Sequence, residues 1–182
     1  MMFNINTKKF NVLTIILAAV TVIYTAPTLS TEFINTTTQK QVSADYKKQV
    51  ECLAKNIYYE AGHESYEGKL AVAQVTMNRV NSGGRFPSDI CAVVYQRTTG
   101  PQLQTVCQFS WTCMVKELVH LHDRYAWEES QNIAKRALTQ SVLHDTIAET
   151  NALFYHAVYV NPGWNKNKVV RKIGNHIFYS SI

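Results

Sequence analysis

Glu60 occupies an unusual address for a carboxylate. It follows Leu53 by seven residues and Ile57 by three, which puts it at the edge of an apolar helical stripe, away from the solvated side where Tyr59 falls. It also belongs to the last turn before Gly62, where the negative end of the helix dipole disfavours an ionised carboxylate. Desolvation and the dipole both raise a carboxyl pKa, as a general acid working near neutral pH requires. A glutamate that bends past Gly62 into solvent would have the same address, so position alone leaves both readings open.

Two further clusters could act beside it. Gln108-Phe109-Ser110-Trp111 lies between Cys107 and Cys113. If those cysteines pair, the loop is pinned and offers aromatic faces with hydrogen-bonding groups, a combination suited to sugar rings; a core Phe and Trp sealed by a disulfide fits equally well. Tyr155-His156 and then Ile173-Gly174-Asn175-His176 form the third cluster. Strand alternation sends Tyr155 and His156 to opposite faces. Each histidine taken alone also fits a purely structural role.

The four cysteines are Cys52, Cys91, Cys107 and Cys113. An even count in an exported chain points to two disulfides, with the pairing open among three possibilities. Only Cys107 and Cys113 are close, and no second pair stands at zinc-ribbon spacing, so no metal is expected. The alternatives are buried free thiols, or a Cys-His peptidase using Cys107 or Cys52 with His156.

These residues need elements to position them. Asp45 can cap a helix that ends at Gly62, with Val50, Leu53, Ala54, Ile57 and Ala61 on one apolar stripe. Ser65 can cap a second helix, its buried face being Leu70, Ala73, Met77 and Val80, stopped by Asn81-Ser82-Gly83-Gly84. A short helix follows Ser88, the segment Arg97 to Val106 reads as a loop, and Arg124 to Gln140 is again helical. Then the period changes. LFYHAVYV and KVVRKIGNHIFYS are rich in Tyr, Val, Ile and Phe and are separated by Asn161-Pro162-Gly163, as expected of a small antiparallel appendage. The fold class is therefore α+β.

With 182 residues the chain has room for one domain and a tail. Charged residues make up 17% and apolar ones 46%, which excludes an acidic disordered chain, and a mean hydropathy of -0.15 excludes a multi-span membrane protein. No Lys/Arg run marks a nucleic-acid surface and no Gly-rich motif cradles phosphate. Lys8 and Lys9 precede the apolar run Val12 to Ala26, a pattern that fits a secretory signal or retained anchor over residues 1–30 better than a full membrane span. Residues 31–44 then read as a polar linker and 45–182 as the domain. Without Lys8 and Lys9 the 18 basic residues become 16 against 13 acidic ones, so the net charge falls from +5 to +3.

The motifs, taken in order, resemble the SleB/CwlJ-type cell-wall hydrolase family. They are Cys52-Leu-Ala-Lys-Asn-Ile-Tyr-Tyr-Glu60-Ala61-Gly62, Glu67-Gly68, Ala71-Val72-Ala73, Asn78-Arg79-Val80, Arg85-Phe86-Pro87, Val93-Val94-Tyr95, Cys107-Gln-Phe-Ser-Trp111, Tyr155-His156-Ala157, Pro162-x-Trp164 and Ile173-Gly174-x-His176-x-Phe178-Tyr179. A departure is Met114-Val115, where the family often has an acidic residue and Gly. The resemblance implies a lysozyme-like domain, peptidoglycan glycan strands as the partner, no cofactor, and Glu60 as the catalytic glutamate.

It also implies a chemistry. Ordinary glycosidases need two carboxylates, about 5–5.5 Å apart for retention or about 6.5–9.5 Å apart for inversion. Glu64 follows the helix stop, and no spacing rule aims it at Glu60. A lytic transglycosylase needs one acid, because the muramic acid's own C6 hydroxyl is the tethered nucleophile. Gln108, Phe109, Ser110, Trp111, Tyr155 and His156 are the expected sugar contacts of a monomer that meets a membrane only through its N-terminal segment. Hydrolysis by the same fold, a wall peptidase and a non-catalytic wall-binding module are the alternatives.

Overall fold

A computed structural model describes residues 29–114, 123–139 and 151–182, with side chains from residue 37 onward. The chain divides into two units, residues 1–42 and 43–182; the second carries the core and the site. Residues 1–28 of the expected export signal lie outside the described residues. No described helix is long and apolar enough to cross a membrane.

Helix α1 spans Leu29–Ala61, so Asp45 is an interior residue and not a cap, and residues 31–44, read as a polar linker, are helical. No Gly or Pro interrupts Leu29 to Ala61, so nothing stops the helix before Gly62. Residues 37–48 are exposed. From Gln49 onward the expected stripe is buried, with Leu53, Ala54 and Ile57 fully enclosed. Ser65 caps α2 (Tyr66–Val80) by accepting from the Gly68 amide at 3.3 Å, and Asn81 ends it.

Helix α2 is the centre of the domain. The single buried face expected for it is too narrow, because Leu70, Met77 and Val80 are only half-buried while Ala71, Val72, Gln74, Val75 and Thr76 are enclosed. The reason is that α2 has partners on two sides. Ala73 faces a cluster with α1, α3 (Ile90–Val94) and α5 (Arg124–Thr139); Ala71 and Val75 face Ala152, Ile173 and Phe178. A helix buried nearly all round gives a weak amphipathic signal. Asp89, one residue later than expected, caps α3 through the Ala92 amide at 2.8 Å.

The expected loop over Arg97 to Val106 contains a hairpin. Strands β1 (Arg97–Thr99) and β2 (Thr105–Cys107) pair antiparallel, Thr98 opposite Val106. Both strands are largely exposed on both faces, so no alternation of polarity announces them. The short helix α4 (Trp111–Met114) follows. The C-terminal sheet has three antiparallel strands in the order β3 (Phe154–Ala157), β5 (His176–Tyr179), β4 (Val169–Ile173). The segment KVVRKIGNHIFYS is thus two strands, turned by Gly174 and Asn175 with Gly174 at φ +53°.

Cross-links fix the helices under the site. Cys52 pairs with Cys91, joining α1 to α3, and Cys107 pairs with Cys113; no cysteine is free. A bridge across 39 residues constrains the unfolded chain by about 4 kcal/mol in the loop-entropy account. The buried Asn56 amide donates to Thr76 Oγ1 at 3.1 Å, and its carbonyl accepts from the Trp111 indole at 3.0 Å. Buried Lys69 pairs with Glu129, tying α2 to α5.

Candidate active site

Gly62 ends α1 by turning its amide onto the Tyr58 carbonyl at 3.0 Å, which leaves Glu60 in the final turn beside a cavity of about 570 Å³. The walls come from that turn, from His63 and Glu64 beyond it, from Asp123 and Ala126 at the start of α5, and from Ala157, Tyr159, Asn175 and His176 around the C-terminal sheet. Five segments therefore meet at one acid.

Burial pushes the Glu60 carboxyl above its ordinary pKa. Two groups oppose that rise: the Tyr155 hydroxyl, which donates to Oε2 at 2.8 Å, and the charge of Arg79. Arg79 is buried in α2. Its Nε donates to the Leu153 carbonyl at 2.8 Å, and its guanidinium lies 5.0 Å from the Phe109 ring centre and 5.1 Å from that of Phe86. Its Nη1 has no hydrogen-bond partner among the described residues. The Tyr155 hydroxyl is itself held protonated, well above its usual range, by burial and by Glu60. The outcome is an acid protonated more readily than a solvated one, with a donor and a cation ready to receive its charge.

The other carboxylates on the cavity wall are occupied. Glu64 accepts from the Asn175 amide at 3.2 Å and from the Asn175 side chain at 2.9 Å, which clamps the β4–β5 turn to the α1–α2 loop. Asp123 Oδ1 caps α5 through the Ala126 amide at 3.0 Å. Glu64 stands on this wall although no spacing rule aims it there, because the clamp to a residue 111 positions later is invisible to local spacing. His176 stands edge-on to Tyr155, 5.1 Å between ring centres, and burial lowers its pKa.

The expected sugar contacts are distributed differently. Tyr155 reaches Glu60 but lies behind it and is not on the cavity wall. His156 points to the opposite sheet face, as alternation requires, where Nε2 meets the Tyr179 hydroxyl at 3.0 Å and the ring packs on Trp164. Phe109 and Trp111 are core residues, 3% and 7% exposed, with Trp111 stacked on Tyr59 at 4.6 Å. Ser110 is exposed and Gln108 half-buried, and neither is on the cavity wall. The aromatic surfaces at the cavity are instead Tyr58, Tyr59 and Tyr159. Asn175 and His176, singled out in the third cluster, do reach the cavity wall, whereas sequence reasoning passed over Tyr159 and gave Arg79 no role of its own. Among the described residues no cluster of His, Cys, Asp and Glu could hold a metal ion.

The site is thus one raised carboxyl at an open, tyrosine-walled cavity of an α+β domain. Residues 63–179 match the family described as Cell Wall Hydrolase, and the chain belongs to that family. It is 28% identical over 134 residues to the spore cortex-lytic enzyme of Oceanobacillus iheyensis, covering 72% of this chain and 41% of that protein, so it spans about two fifths of that relative's length. Two solved structures are similar. The catalytic domain of the Bacillus cereus SleB protein has 22% identity and a TM-score of 0.48, over 73% of this chain and 90% of that one. The catalytic domain of germination-specific lytic transglycosylase SleB from Bacillus anthracis has 25% identity and a TM-score of 0.46, over 72% and 93%.

Proposed function

We propose that this chain cleaves peptidoglycan glycan strands between N-acetylmuramic acid and N-acetylglucosamine, with Glu60 as the single catalytic acid and base. The observation that carries the reading is the buried, raised Glu60 carboxyl at an open cavity, backed by Tyr155 at 2.8 Å. The matched family residues begin at 63, so the assignment of Glu60 rests on this geometry and on the motif around it.

In this account Glu60 gives its proton to the glycosidic oxygen as the bond to C1 of the muramic acid breaks. The C6 hydroxyl of the same sugar attacks C1 and returns its proton to Glu60. The products are a 1,6-anhydromuramic acid end and a free 4-hydroxyl on N-acetylglucosamine, and no water is consumed. The Tyr155 hydroxyl and Arg79 stabilise the carboxylate between the two steps. Tyr58, Tyr59 and Tyr159 supply stacking surfaces for the sugars. A second reading, hydrolysis by the same acid, is favoured by one observation: Glu64 and Asp123 share the cavity wall. The engagement of Glu64 with Asn175 and of Asp123 with the Ala126 amide supports the single-acid route.

The chain works as a monomer outside the cytoplasm, in keeping with its two disulfides, and meets a membrane only through residues 1–30. Mass spectrometry of digested sacculi tests the function: anhydro ends support transglycosylation and reducing ends support hydrolysis.

A further inference from the structure

A second cavity, of about 440 Å³, lies along the seam between α1 and α5. Its walls are Tyr46, Lys47, Val50 and Glu51 from α1, and Trp127, Gln131 and Lys135 from α5. The spacing shows how it relates to the Glu60 cavity. Asp123, Trp127, Gln131 and Lys135 recur every four residues and share one stripe of α5; the first is on the Glu60 cavity wall and the other three are on the groove wall. On α1, Lys47, Glu51 and Tyr58 share a stripe, and Tyr58 is again on the Glu60 cavity wall.

The two spaces meet at a built junction. The Tyr58 hydroxyl accepts from the Asp123 amide at 3.3 Å, and its ring stands edge-on to Trp127 at 6.0 Å. The groove and the cavity are thus neighbours along the helix seam, with Tyr58 and Asp123 standing between them. The groove's chemistry differs, however. Val50 and the half-buried Trp127 give it an apolar floor. Glu51 is engaged by Lys55, while Lys47 and Lys135 are exposed and have no ion-pair partner among the described residues. An apolar, aromatic floor between two unmatched cations suits an elongated ligand with sugar faces and carboxylates.

We infer that this groove is a distal binding section for the same wall polymer, taking the anionic peptide-bearing part of the strand whose glycosidic bond lies at Glu60. The inference rests on the glycan-cleaving reading. Lys47 and Lys135 pair with stem-peptide carboxylates, and Trp127 with Tyr46 carries a sugar face. The groove therefore adds affinity for intact, peptide-bearing polymer without touching the bond that breaks.

The test uses the full chain carrying Glu60→Gln, so that binding is read without digestion, and measures co-sedimentation with purified sacculi. Adding Lys47→Glu with Lys135→Glu weakens binding about tenfold at low salt. The difference closes at high salt, where surface charges are screened. A matched pair on the exposed C-terminal side, Lys166→Glu with Lys172→Glu, changes net charge equally and leaves binding within about twofold. On soluble glycan strands stripped of peptide by an amidase, with binding read by calorimetry, the groove pair has no effect. Unchanged sedimentation of the groove pair overturns the inference, as does an equal loss in the matched pair or on stripped glycan. Cleavage is read separately with Glu60 intact: lysine-dependent sedimentation without release of glycan fragments keeps the groove and removes the glycosidase assignment.

Discussion

The Tyr155 hydroxyl and Glu60 Oε2 are 2.8 Å apart although 95 residues separate them in the chain. The contact joins strand β3 to the last turn of α1, and it sets the acid's strength against its burial. Burial alone would leave Glu60 protonated but a reluctant donor; the hydroxyl and Arg79 lower the cost of the carboxylate that donation creates.

Tyr155→Phe removes one of the two groups that favour the carboxylate. A hydrogen bond to a charged group contributes about 1.5–3 kcal/mol, so kcat on soluble glycan falls about tenfold or more. The Glu60 pKa rises further, and the limb on which activity falls with rising pH moves to higher pH. A pH–rate profile of the two proteins checks both effects. A purely structural role for Tyr155 would lower the rate without moving the limb.

Glu60→Gln has a stability signature as well as a kinetic one. The folded-state pKa of Glu60 is raised, so the folded protein holds its proton more tightly than the unfolded chain. The wild-type protein then loses stability as pH climbs from the unfolded value of about 4.3 through the folded one, and glutamine does not. Thermal unfolding of the variant at pH 7 occurs at a higher temperature than that of the wild type, and the gap closes below about pH 4.

Gly174→Ala meets two obstacles. The residue sits at φ +53°, and an added Cβ would collide with Glu64 Oε2. The substitution costs more than about 1 kcal/mol. It also loosens the Glu64–Asn175 clamp on the cavity wall. Urea unfolding reads the first effect, and a raised KM with little change in kcat reads the second.

Glu64→Gln and Asp123→Asn separate one acid from two. With Glu60 as the sole acid and base, each retains kcat within about tenfold, well short of the 10²–10⁴-fold contribution of a general acid or base. A loss comparable to that of Glu60→Gln in either variant would assign it as the second carboxylate of a hydrolase.

Legibility followed the range of each signal. The α1 stripe, the Ser65 cap, the α5 helix and the even cysteine count are local features, and the structure bears each of them out. So is the awkward position of Glu60 at its stripe edge. The faces of α2 were misread because two partners bury it from opposite sides, and the β1–β2 hairpin because its strands are wet on both faces. The cavity wall depended on pairings across the chain, Tyr155 with Glu60 and Asn175 with Glu64, which no local period encodes. Phe109 and Trp111 looked like a sugar platform by composition, yet the Asn56 carbonyl and the Tyr59 ring hold Trp111 in the core.

The most direct measurement of the central claim is mass spectrometry of the fragments released from purified peptidoglycan by the wild-type chain and by Glu60→Gln. The account predicts 1,6-anhydromuramic acid ends from the wild type and a loss of about 10²-fold or more from the variant. Reducing-end products from the wild type would contradict the transglycosylase route. Undiminished release by Glu60→Gln would contradict the assignment of the acid itself.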